Sequence, residues 1–185
     1  SDFFANQYEE IQTSLMNIGH QKSSANFTIK TRLNWRRNQD EYLLIREDPD
    51  YYRNLHTSQV VSLESHGDYY SKWGATGIGG SLSKVSLNSN NLGNRSRQIS
   101  SLFLEHRAYL LNKKLDITPG VALSHYSDFG SHFFPGIDVG YALKSGIKLF
   151  TNMGYTWRIP TYTDLYYVGA ANIGNENLIP ESALS

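Results

Sequence analysis

The sequence predicts an all-β chain folded as an antiparallel up-and-down meander, and three observations carry that prediction. Apolar and polar residues alternate along most of its length, the period of a strand with one buried face. Many of these alternating segments run for 10 or more residues, whereas strands of soluble domains average about 5–6. No stretch keeps apolar residues at the i, i+3, i+4, i+7 spacing of an amphipathic helix for three turns.

In order along the chain, strands are expected near 11–20, 27–35, 41–46, 58–66, 74–87, 98–110, 114–126, 137–143 and 147–157. In 27–35, Phe27, Ile29, Leu33 and Trp35 share a face opposite Thr28, Lys30, Arg32 and Asn34. In 74–87, Gly77, Gly79 and Gly80 make no phosphate loop, since no helix follows them, and instead ease close packing in a curved strand. In 137–143, Ile137, Val139, Tyr141 and Leu143 alternate with Asp138, Gly140 and Ala142. After a tight turn at Lys144–Gly146, Ile147, Leu149, Met153, Tyr155 and Trp157 fall on one face, with Lys148, Asn152, Gly154 and Thr156 on the other.

The connections alternate in length. Short links are expected near Arg36–Asp40, Leu111–Lys114 and Lys144–Gly146, and longer ones at Glu47–His56, Asn88–Arg97 and after Arg158. Ser127–His132 would be a short member of the long-loop rim. A transmembrane barrel segregates short periplasmic turns from long external loops, and its tilted strands need about 9–11 residues to cross. Composition agrees: hydrophobic content is 39% while aromatic content is 13%, as a wet lumen and aromatic girdles require. The fold expected is therefore part of a transmembrane β-barrel, with a Tyr-rich soluble sandwich as the alternative.

The formal net charge is zero, so no basic footprint for nucleic acid exists. The chain has no cysteine, which excludes disulfides and thiolate metal sites, and its His residues are scattered without metal spacing. Glu47, Asp48 and Asp50 crowd one segment, expected as a solvated acidic loop rather than a calcium site. No metal or cofactor is expected. No apolar run reaches the roughly 18 residues of a membrane helix. The chain opens on Ser1-Asp2-Phe3-Phe4 without a signal peptide and stops at Ala183-Leu184-Ser185 as a new element starts; both ends read as cuts.

The last third carries an ordered set of short motifs: Tyr126-Ser127, Phe133-Phe134-Pro135, Gly140-Tyr141-Ala142-Leu143, Arg158-Ile159-Pro160-Thr161, Leu165-Tyr166, and Gly174-Asn175-Glu176-Asn177-Leu178-Ile179-Pro180-Glu181. In order and spacing these resemble the barrel of TonB-dependent outer-membrane receptors, with Glu176 where the family often has Pro. Trp35-Arg36-Arg37 with Asp40, and Tyr52-Arg53-Asn54-Leu55-His56, resemble Bacteroidetes-type members. The resemblance implies a 22-stranded barrel around an N-terminal plug, in the bacterial outer membrane. Residues 1–185 would be a fragment of its barrel domain, with plug and TonB box absent. It further implies TonB-coupled uptake of a bulky, scarce nutrient such as a siderophore complex or cobalamin, with lipid, the TonB complex and the ligand as partners and no enzymatic chemistry.

Within that frame Arg158, Pro160, Asn175, Pro180 and Glu181 are expected to be structural. Proline ends strand pairing, and Arg158 can reach Glu181. Tyr51, Tyr52, Arg53, Tyr162, Tyr166, Tyr167 and Asn175 are the candidate ligand contacts, on loops expected to share one rim. A second class of function, an outer-membrane lipid hydrolase, would rest on His125 and Ser127, which share a strand face at i and i+2 as the base and nucleophile of such enzymes do. Here Asp128 replaces the Asn that usually follows, and Val139-Gly140-Tyr141 stands where a Glu is needed.

Overall fold

The computed structural model describes residues 6–169 and 172–185. Among them, nine strands form one antiparallel meander in strict sequence order: β1 (Tyr8–Ser23), β2 (Phe27–Leu43), β3 (Arg53–Ser71), β4 (Gly74–Ser89), β5 (Gly93–Leu110), β6 (Leu115–Tyr126), β7 (Gly130–Ala142), β8 (Lys148–Arg158) and β9 (Glu181–Leu184). The connections at 24–26, 72–73, 111–114 and 143–147 lie on one rim and are all short; those at 44–52, 90–92, 127–129 and 159–180 lie on the other. By the asymmetry of membrane barrels, the second rim is external.

Register sorts the side chains into two faces, because directly opposed residues point the same way. One face carries Ile18, Leu33, Leu63 and Leu82 as direct partners, then Leu102, Leu123 and Phe133, then Ile137 and Met153. Two of its polar members, Thr76 and His106, oppose each other and share a hydrogen bond of 2.8 Å. The belt slips along the strands from β1 to β8, as tilted barrel strands require. Phe27 opposite Tyr69 marks its lower edge and Trp35 its upper edge on β2. The opposite face carries Lys30, Arg32, Asn34, Glu64, His66, Ser81, Ser101, Asp116, Asp138 and Lys148. Asp116 and Lys148 sit two strands apart yet meet there at 2.6 Å, a convergence available on the concave side of a curved sheet. Gly140 lies between them on β7, where a Cβ would stand 2.6 Å from Lys148 Cε. The belt faces lipid and the polar face lines the lumen. Asp138 and Lys148 therefore point inward and Val139 and Leu149 outward, as charge burial demands.

Three sequence expectations need correction. Arg36–Asp40 is no turn. β2 runs unbroken through it, with Arg37 paired to Ser14 on one side and Gln59 on the other, so 27–35 and 41–46 belong to one strand and the turn falls at 24–26. Asn88–Arg97 is not a long loop either: β4 continues to Ser89, β5 starts at Gly93, and only 90–92 connect them. In both places the apolar alternation stops because the strand has left the lipid, not because pairing has ended. The third concerns Trp157. Pairing of β7 with β8 ends at Gly136–Gly154, and the Trp157 ring packs on His132, 4.6 Å between centroids, which the β6–β7 register puts on the luminal face. The face shared by Leu149 and Met153 does not extend to it.

The close approach expected at the β4 glycines is present at Gly79, where a Cβ would come within 2.5 Å of the Phe103 ring. The β5–β6 turn holds Leu111, Asn112 and Lys113 at positive φ.

Candidate functional site

The external rim is built from four connections that grip one another. In the first, 44–52, Tyr52 O accepts from Leu44 N, and the Tyr52 ring stands edge-on to Tyr42 at 6.4 Å. Arg53 is committed to Glu41, Nε to Oε1 2.7 Å. Tyr51 is 66% exposed and open to solvent. Of the three candidates here, only Tyr51 is an uncommitted surface.

The second, 90–92, is the hub. Ser89 Oγ accepts from Asn91 N (3.1 Å) and Leu92 N (2.8 Å), which leaves its proton for His56 Nδ1 at 2.7 Å. Asp40, His56 and Ser89 stand in one cross-strand row. Both acceptor positions of the hydroxyl are used in closing the turn, so the row is a turn cap and not a nucleophile. Asn90 donates to Arg53 O and accepts from Leu55 N. Asn91 Nδ2 reaches both Asn54 Oδ1 and Val168 O, each 3.4 Å. One turn therefore joins the start of β3, just after Tyr51 and Tyr52, to the loop of Tyr162–Tyr167.

The last connection, 159–180, is organised by its own sequence. Pro160 is buried and ends β8, and Thr161 caps a single turn of helix, α1 (Tyr162–Tyr166). Thr161 Oγ1 accepts from Asp164 N, and Asp164 Oδ2 accepts from Thr161 N at 2.9 Å, a reciprocal capping box. The bonds from Thr161 hold the Asp164 carboxyl below its ordinary pKa. Leu165 is 2% exposed, and Asn175 N returns to Asp164 O at 2.9 Å. Gly174 is needed there, because a Cβ would lie 2.7 Å from the Leu165 carbonyl carbon. Within this connection the capping box, the close approach at Gly174 and the bond from Asn175 N all close the loop on itself. Arg158 stands directly opposite Glu181, 3.6 Å apart, with Asp164 at 3.8 Å, loose pairs on an exposed side chain.

Two luminal arginines of β5 draw this loop inward over the lumen. Arg97 Nε meets both Asp128 oxygens at 3.0 and 2.8 Å, its Nη2 donates to Pro160 O at 3.0 Å, and its guanidinium lies 5.2 Å from the Tyr162 ring centre. Arg95 stacks 3.6 Å over Tyr166. Burial raises the Tyr162 hydroxyl's pKa, and that oxygen finds no partner among the described residues. Tyr162 and Tyr166 are therefore packed against arginines rather than displayed, while Tyr167 is half-buried. Asn175 spends its backbone and side chain inside the loop, Oδ1 accepting from Asn177 N. Sequence reasoning missed α1, Arg95, Arg97, Asn90 and Asn91. The Thr161-x-x-Asp164 spacing was a readable signal for α1; the partners of the two arginines lie 31 or more positions away and were not.

His125 and Ser127 do not pair: His125 Nδ1 lies 3.0 Å from Ser131 Oγ, and Ser127 Oγ accepts from Gln98 N.

Comparison with known proteins agrees with this architecture. The family described as TonB dependent receptor-like, beta-barrel, matches over residues 1–185. Among solved structures, the siderophore receptor PirA from Pseudomonas aeruginosa superposes with a TM-score of 0.80 at 17% identity, covering 95% of this chain and 34% of that one. The ferric enterobactin receptor PfeA from the same organism, an R480A mutant in complex with enterobactin, gives 0.82 at 14% identity, with coverage of 95% and 32%. PirA from Acinetobacter baumannii gives 0.75 at 10% identity, covering 95% and 32%. The chain spans about a third of the length of these structures. No curated protein matches it.

Proposed function

The chain belongs to the TonB dependent receptor-like β-barrel family, and from that premise we propose that it supplies nine consecutive wall strands of an outer-membrane receptor that imports a bulky, scarce nutrient. The cargo proposed is a metal–siderophore complex, with cobalamin second. Uptake draws on TonB through a part of the receptor outside residues 1–185, and the segment itself does no covalent chemistry.

The observation that carries this reading is the match of the whole chain to the family, in a sheet that is apolar on one side, polar on the other and capped by interlocked loops on one rim. The interlocking makes the rim a preformed surface, so binding costs little loop ordering. Tyr51 supplies an open aromatic contact, and Ile173 and Ile179, each 79% exposed, offer apolar surface on the neighbouring loop.

The test is uptake by the full-length receptor in outer-membrane vesicles or cells, offered ferric siderophores and cobalamin in turn. Removing residues 47–52 should weaken cargo binding while heat-modifiable barrel assembly is kept. Assembly without any loss of affinity would reject this rim as the binding surface. No import of either cargo class would reject the transport reading.

A further inference from the structure

The two rims carry opposite charge. The long-loop rim, 44–52, 90–92, 127–129 and 159–180, holds Glu47, Asp48, Asp50, Asp128, Asp164 and Glu176 against Arg46 alone. The short connections hold Lys72, Lys113, Lys114 and Lys144 and no carboxylate. Lys22 stands at the same edge, directly opposite Ile29 on the lipid face of the sheet. Among the described residues none of these five lysines makes an ion pair. The carboxylates nearest this edge, Asp68, Glu105, Asp116 and Asp138, all face the lumen. Two of them are already engaged there: Asp68 lies 2.7 Å from His66 Nε2, and Asp116 is shared by Arg107 and Lys148.

The basic turns are also apolar. Three consecutive short turns each set an exposed, large apolar side chain near a lysine: Trp73 after Lys72, Leu111 before Lys113 and Lys114, and Leu143 and Ile147 on either side of Lys144. Lys72 Nζ sits 5.1 Å from the Trp73 ring centre. Just above these turns Phe27, Tyr69 and Tyr141 face the lipid. Bulky apolar residues mixed with lysine suit the boundary between hydrocarbon and headgroups, where the ring or branched chain sinks and the lysine stem snorkels to the phosphates. Lys72 and Lys113 come from adjacent turns and border one cleft, whose luminal wall is Tyr70 and Tyr109.

We propose that the short-turn rim is a docking surface for anionic phospholipids of the periplasmic leaflet, held through their phosphodiesters by Lys22, Lys72, Lys113, Lys114 and Lys144. Charge complementarity names the occupant: a cluster of lysines without carboxylates, set at the membrane edge, concentrates anionic lipid over zwitterionic lipid. The cleft between Lys72 and Lys113 lets one phosphodiester meet two cations. The rim then acts as an electrostatic foot that fixes how deep the wall sits, whatever cargo the receptor carries.

The test uses the full-length receptor, otherwise free of reactive cysteine, with a bimane fluorophore on Leu111→Cys. It is reconstituted in phosphatidylcholine bilayers that contain brominated phosphatidylglycerol or brominated phosphatidylcholine. At low salt the anionic lipid should quench as though enriched about threefold at the label, and the excess should shrink as salt rises. K72Q/K113Q/K114Q should bring the two lipids level, and K72R/K113R/K114R should keep the enrichment. Arg37→Gln/Lys84→Gln, at the other edge of the belt, should leave it unchanged. Equal quenching by the two lipids, or none by either, overturns the proposal. So does an enrichment that ignores salt or survives the glutamine variant. If that variant fails to show heat-modifiable assembly, the salt series and the arginine variant decide alone. Soluble polyglutamate bound by the same lysines, with no lipid preference, would give the rim to an acidic periplasmic protein and overturn the lipid assignment.

Discussion

The lower half of β2, Phe27–Trp35, and its upper half, Arg37–Leu43, are one continuous strand with the same pairing on both sides. The lower half alternates, with Phe27, Ile29, Leu33 and Trp35 outward around Thr31; the upper half places Arg37, Gln39 and Glu41 on that same face. Pairing is constant and the solvent is not. A polar residue on the outer face costs nothing once the strand has risen out of hydrocarbon, so alternation reports the membrane rather than the strand. The same change separates Leu63 from Gln59 on β3 and Leu82 from Lys84 on β4.

The largest effect should come from a charge placed on either side of that boundary. Leu63→Arg lies in the belt and should destabilise folding into bilayers by roughly 2–4 kcal/mol, whereas Gln59→Arg, on the same strand and face, should cost at most about 1. Val139→Arg against Asp138→Arg makes the matching contrast between faces. Denaturant titration in liposomes reads both, and equal losses at 59 and 63 would erase the proposed boundary. Since the chain has no cysteine, single cysteines can map the same line. A lipid-phase quencher should reach positions 63, 82, 139 and 149 and miss 37, 59, 84, 138 and 148.

Next in size is Arg97→Gln, which leaves Asp128 without its cation and frees Pro160 O. It should loosen the loop 159–180 by about 2 kcal/mol without moving the belt. Hydrogen exchange should accelerate in that loop and stay unchanged in β6 and β7. Thr161→Ala, which removes one half of the capping box, should cost about 1 kcal/mol in the same observable. The cap also titrates. Asp164 has a depressed pKa in the folded loop, so its contribution is complete above the unfolded carboxylate value and fades as pH falls through the lower folded value. Protection of α1 should therefore survive mild acid and vanish below the ordinary carboxylate range; Asp164→Asn should remove that pH dependence. The smallest effect belongs to Gly140→Ala. It should push Lys148 off Asp116, a screened surface pair, seen as a small loss of thermal stability.

What the sequence made legible follows from the same contrast. Where β6 to β8 lie in lipid, alternation alone places Asp138, Val139, Lys148 and Leu149 on their correct faces. Where β2, β4 and β5 rise above it, Arg36–Asp40 and Asn88–Arg97 are polar on both faces, and nothing local distinguishes such a strand from a loop. On the rim, Arg158 and Glu181 pair across β8 and β9 at the foot of the connection that holds Pro160 and Asn175. The commitment of Tyr162 and Tyr166 to arginines was hidden, because Arg95 and Arg97 lie on a strand more than 60 positions away.

The polar upper ends of β1 to β5 form a collar standing clear of the bilayer. From Arg37 to Leu43 the chain climbs roughly 20 Å along the strand at about 3.3 Å per residue, or about 15 Å in height at a tilt near 45°. Seen from the medium, the receptor is therefore a short tower and not a hole flush with its surface. Its flank, carrying Arg37, Gln39, Gln59 and Lys84, turns a polar wall sideways to the medium, so that substitutions there alter neither the strands in lipid nor the loops on top.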